Sequence, residues 1–223
     1  MGDGCDTMRG TTEGTRRNRR ATLCLPALAA LVLPLLGAAP PAALGSDETL
    51  SYDGVGDTVL RVDVHEEPRV ATFSHNGSSN FAVWAVGSQG ENQDLLVNTI
   101  GPYEGTVLYN DLVGEELAAL DISADGAWEV SLEPLHEADT WPEDDDEASG
   151  NGDDVLVLEW EPDGLTILDL SHSGDSNFAI WAYTDGDRDL IVNTIGPYEG
   201  QARLSAGSVL LSITSEGDWT LSR

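Results

Sequence analysis

His75, Ser79 and Asp94 are the residue types of a nucleophilic triad, and His172, Ser176 and Asp189 repeat them in the second half of the chain. Acyl transfer needs a serine activated by a histidine that a carboxylate orients. The setting argues against it: Ser79 lies in the turn-like HNGSSN, with no Gly-x-Ser-x-Gly elbow to lift its hydroxyl out of a strand. Carboxylates for glycoside hydrolysis are plentiful, but none stands in an apolar run that would raise its pKa. The expectation is a non-catalytic protein.

Metal ligation is the next chemistry to weigh. His65, His75, His136 and His172 are scattered without the spacing of a zinc site. Asp185, Asp187 and Asp189 alternate in DGDRD, as at the opening of an oxygen-rich calcium loop, but Gly196 stands where an EF-hand register requires a bidentate Glu. The first half has SQGENQD at the same place and has lost most of these acids. Calcium is the one cofactor the sequence suggests, against the plainer reading of an acidic hairpin.

The third chemistry is recognition. Trp84 and Trp181 recur in NFAVWAV and NFAIWAY, which alternation places on the face opposite Phe81 and Phe178. An outward indole offers a flat apolar platform with a polar edge to a sugar ring or another chain. Asn80 and Asn177 at the strand starts, and Glu104 and Glu199 in the repeated GPYEG, complete the candidate binding residues. Packing explains most of these residues equally well; only the two glutamates lack a structural role.

All of these residues belong to a duplication. DLLVNTIGPYEG at 94–105 returns as DLIVNTIGPYEG at 189–200 with one change, Leu96 to Ile191. His75, Gly77, Ser79, Asn80, Phe81 and Trp84 precede His172, Gly174, Ser176, Asn177, Phe178 and Trp181 by 97 residues, and Gly126 and Trp128 match Gly217 and Trp219. Short apolar runs broken by Gly, Asp, Asn and Ser predict an all-β fold: strands over 58–64, 69–74, 80–86, 94–99, 105–109, 117–123 and 127–132, with the only helix candidate, 113–120, reading better as a strand or a single turn. About seven short strands per copy suggest two tandem β-sandwiches. The expected division is a first repeat over 46–138, an acidic linker over 139–152 containing five consecutive acids from Glu143 to Glu147, and a second repeat over 153–223. In the repeated turn, Gly101 and Gly196 should take an unusual dihedral, and Tyr103 and Tyr198 should tether the corner.

The first 45 residues read as a secretory signal peptide: Arg9, Arg16, Arg17, Arg19 and Arg20, then an uncharged stretch that ends in small residues. The apolar part is short for a membrane span and is interrupted by Pro26 and Pro34, so an uncleaved anchor is the lesser reading. Cleavage would remove Cys5 and Cys24, five of the ten arginines and only Asp3, Asp6 and Glu13 of the forty acids. What remains is cysteine-free and has 37 acidic against 5 basic residues, with no lysine. Such a surface repels nucleic acid and anionic membrane. The expected partners are therefore an envelope polysaccharide or protein, met by a monomer outside the cytoplasm.

Taken together, HxGxSNFxxW, DLxVNTIGPYEG and the closing DGxW or EGxW resemble an uncharacterised family of small β-rich modules in secreted and lipid-anchored bacterial proteins, those of actinobacteria in particular. The resemblance covers both copies. It implies a fold and an extracytoplasmic setting, and no activity or catalytic residue.

Overall fold

The computed structural model describes residues 48–65, 67–111 and 116–223; the signal-peptide reading falls outside them. The chain is all-β. Its strands are β1 (Leu50–Val55), β2 (Thr58–His65), β3 (Arg69–His75), β4 (Asn80–Gly87), β5 (Asn92–Ile100), β6 (Tyr103–Tyr109), β7 (Leu117–Ser123) and β8 (Ala127–Pro134). After a single turn of 3-10 helix, Leu135–Glu137, come β9 (Asp139–Trp141), β10 (Glu147–Asn151), β11 (Asp154–Leu158), β12 (Thr166–His172), β13 (Asn177–Thr184), β14 (Asp187–Ile195), β15 (Tyr198–Leu204), β16 (Leu210–Thr214) and β17 (Asp218–Ser222).

They form four sheets. Residues 50–134 supply β1-β8-β3-β6 and β2-β7-β4-β5; residues 139–222 supply β10-β17-β12-β15 and β14-β13-β16-β11-β9. Period-two alternation drives this arrangement, since a strand with one apolar face must bury it against another sheet. Phe81, Val83 and Ala85 of β4 pack with Phe73 of β3 and Val130 and Leu132 of β8 in one core. Phe178, Ile180 and Ala182 of β13 do the same with Leu168, Leu170 and Leu221 in a second.

A third, smaller core lies between the two sheet pairs. Val70 of β3, Leu108 of β6 and Ala138 pack against Val155 of β11 and Leu210 of β16. The Thr106 N–H bonds the Asp153 carbonyl across the same joint at 2.9 Å. Apolar burial at this joint fixes one sheet pair on the other, because opening it would return those side chains to water.

The segment read as an acidic linker, 139–152, is largely strand. Trp141 is fully buried in the second core, edge-on to Trp160 with centroids 5.3 Å apart, and its indole N–H bonds the Asp145 carbonyl at 2.9 Å. The Arg223 guanidinium carbon stands 4.3 Å from the centre of the Trp160 ring, and its Nη2–H donates to the backbone carbonyls of Glu143 and Asp145. The acids of the run point outward from a loop held by its backbone. In β10, Ala148 and Gly150 alternate with exposed residues, and Gly150 is opposite Trp219 on β17, where an added Cβ would meet the indole at 2.3 Å. Gly54 of β1 stands in the same relation to Trp128. Each indole N–H bonds a glycine carbonyl, Gly56 or Gly152, at 3.0 Å. Glycine at 54 and 150 is thus the space into which each tryptophan folds. Strand β1, which the sequence reading also passed over, belongs to this device.

Candidate binding cleft

Beside the apolar joint the two sheet pairs leave a cleft of about 960 Å³. Its walls include Asn98 and Glu104 from the first pair and Asn177, Trp181, Tyr183 and Thr214 from the second. Trp181, Tyr183 and Thr214 share the outward face of the β14-β13-β16-β11-β9 sheet, a consequence of alternation along β13 and β16.

One carboxylate organises the wall. Asp111 follows Asn110, a non-glycine residue at φ 55°, a conformation asparagine tolerates better than most residues. The Asn110 side-chain oxygen accepts the Leu117 N–H at 3.1 Å. Asp111 reaches across to the second pair, accepts the Tyr183 hydroxyl at 2.9 Å and pairs with the Arg188 guanidinium. Arg188 in turn lies over the Trp181 ring, its guanidinium carbon 4.8 Å from the centroid. Burial first, then the Asp111 charge, pushes the Tyr183 hydroxyl well above its ordinary range, so it stays a donor.

Nearer the joint, the Tyr103 hydroxyl donates to Asp153 Oδ2 at 2.6 Å, and Asp153 Oδ1 accepts the Ser215 N–H at 2.8 Å. Desolvation raises the pKa of Asp153 and, with the Asp153 carboxylate beside it, that of Tyr103. Tyr103 therefore tethers the other sheet pair instead of its own corner. Gly101 and Gly196 have φ of 98° and 87°, as the repeated turn requires. The turn is shorter than the sequence suggests, since Tyr103 and Glu104 already lie in β6.

Of the sequence candidates, Asn177, Trp181 and Glu104 line the cleft, and Trp84, Asn80 and Glu199 do not. Asn80, Asn177, Glu104 and Glu199 are all exposed; Trp84 and Trp181 are half-buried on outward faces. Asp185 sits in the turn before β14, Asp187 accepts the Arg188 N–H, and Asp189 faces Ser205 and Arg203. They do not converge, and among the described residues no three His, Cys, Asp or Glu side chains form a metal-binding group.

The triad residues are not brought together either. The His75 ring is buried, stacked on Phe81 with centroids 4.4 Å apart, and its Nδ1–H donates to the Gly101 carbonyl at 2.9 Å. His172 repeats this on Phe178 and Gly196. Beside Nε2 of His75, at 3.5 Å, is Asp125, not Asp94. The Ser79 and Ser78 N–H groups bind Asp125 and hold its carboxyl below the ordinary carboxylate range. Both histidines are buried corner posts.

Repetition does not mark Asp111, Tyr183 and Arg188, because none of the three recurs in the other copy. Val86 and Gln93 occupy the positions of Tyr183 and Arg188 in the first copy. The chain matches no protein-family model, and no curated protein is similar to it.

Proposed function

We propose that the chain is a secreted, non-catalytic tandem β-sandwich module of the cell envelope or extracellular space, and that it holds a neutral polymer in the cleft between its sheet pairs. The observation that carries this reading is the wall made jointly by both halves. Asn98, Asn177 and Thr214 offer hydrogen-bonding groups beside Trp181, and the only cation among the described residues of the wall, Arg188, is already neutralised by Asp111. With Asp94, Glu104 and Glu216 also lining it, the cleft repels anionic polymers. A few fixed polar groups beside an aromatic ring are the usual composition of a small-ligand or glycan site.

The apolar joint favours a second reading, a rigid spacer without a ligand, since a buried core between the halves serves a fixed geometry by itself. One experiment separates the two. The chain from residue 46 onward is immobilised and challenged with purified neutral envelope polysaccharides and surface proteins, with and without calcium. Retention of at least one, weakened tenfold or more by Trp181→Ala, is the expected result. No retention on any of them leaves the spacer.

A further inference from the structure

The duplication makes the molecule its own control at one position. Trp181 of β13 pairs laterally with Leu190 of β14 and Ser212 of β16. Trp84 of β4 pairs with Leu95 of β5 and Asp121 of β7, the corresponding neighbours in the first half. Around Trp181 a guanidinium covers the ring, and a neutral serine stands beside it. Around Trp84 both groups differ. Gln93 replaces Arg188, which removes the cation, and Asp121 replaces Ser212, which puts a carboxylate next to the indole.

Among the described residues no cation and no aromatic ring stacks on Trp84. The next residue across the sheet from Asp121 is Val59 of β2, 67% exposed on the same face. An outward indole, a carboxylate one strand away at the spacing of a cross-strand pair, and an exposed apolar side chain beyond it form a complementary surface for a guanidinium on an aliphatic stem. Arg61, two residues from Val59 along β2 and opposite Ala119, bounds that surface. A net charge of −30 favours a basic partner over a second copy of the chain.

We infer that the outer face of the first sheet pair around Trp84 and Asp121 docks a protein partner through an arginine side chain, seated on the indole as Arg188 is seated on Trp181. This surface adjoins the cleft, which Gln93 and Leu95 also line, but Trp84 and Asp121 are not part of the cleft wall, and the separate Trp84 and Trp181 signals tell the two apart.

The test follows the indole N–H signals of the ¹⁵N-labelled chain by NMR in 0.15 M salt, with N-acetyl-arginine amide as the probe and N-acetyl-citrulline amide as its uncharged counterpart. The expected result is a saturable shift of the Trp84 signal with arginine and none with citrulline, while Trp181 stays silent. Asp121→Asn should weaken the arginine response at least fivefold. Asp53→Asn, an exposed acid on β1 of the opposite sheet, should change it less than twofold. Arg188→Gln, which gives the second half the neutral residue of the first, should make Trp181 respond. A tetra-arginine peptide should bind at least tenfold tighter than the single residue. No shift of the Trp84 signal, or equal losses in Asp121→Asn and Asp53→Asn, overturns the proposal; the latter means diffuse attraction to an acidic protein. No gain from single residue to peptide overturns the protein partner and leaves a small-molecule site.

Discussion

The Tyr103 hydroxyl and the Asp153 carboxylate meet at 2.6 Å across the joint, and each is there because of a different constraint. Asp153 follows Gly152, whose φ of 81° turns the chain from β10 into β11, and its other oxygen caps the Ser215 N–H. Tyr103 leans over Gly105, where an added Cβ would meet the hydroxyl at 2.6 Å. Tyr103→Phe leaves a desolvated carboxylate with one donor fewer. Urea unfolding at pH 7 should show a loss of about 2 kcal/mol, in the range for a hydrogen bond to a charged group. Because the bond is made to the ionised form, the loss should shrink as pH falls and Asp153 takes up a proton. A pH-independent loss would mean that the ring contacts carry the effect.

Asp154 gives a second pH-dependent term with a definite sign. Burial, with lesser contributions from Asp139 and Asp153, pushes its carboxyl up to about 6 from 3.8. An acid with a raised pKa in the folded state favours folding while protonated, below the unfolded value, and that contribution is lost as pH rises through the folded value. The wild type should therefore lose stability relative to Asp154→Asn between about pH 4 and 6. At pH 7 the variant should be the more stable by about 1 kcal/mol, after allowance for solvent screening at a site that is only partly buried. Paired denaturation curves across this pH range check it, and equal curves would place Asp154 in water.

The folded acidic segment makes a prediction about fragments. A chain of residues 153–223 lacks β9, β10 and Trp141, and so exposes one edge of each sheet of the second pair and empties a fully buried tryptophan site. It should give the circular dichroism of an unfolded chain and collapsed amide dispersion in NMR. A folded 153–223 would show that residues 139–152 are dispensable.

The strands that share a period-two pattern and a turn were legible residue by residue. NFAVWAV and NFAIWAY show their inward phenylalanines, VNTIGPYEG shows a turn with positive-φ glycine, and repetition shows that the chain folds one pattern twice. Strand β10 was not legible, because EASGN has neither apolar alternation nor β-branched residues. It is a strand only because Trp219, far away in the chain, needs the space that Gly150 leaves.

The same limit held at the cleft. Sequence comparison of the copies favours what they share, and of the shared residues His75 and His172 are packed corners while Tyr103 ties one sheet pair to the other. What distinguishes the halves lies where they differ: Asp111, Tyr183 and Arg188 at one site, Gln93 and Asp121 at the other. By itself the sequence determined the all-β pattern and its repetition, because both are local periodicities. Only the tertiary structure decided that the halves share a core, that Asp111 holds Arg188 over Trp181 and that no described cation stacks on Trp84, because these depend on side chains from separate strands arriving at one place.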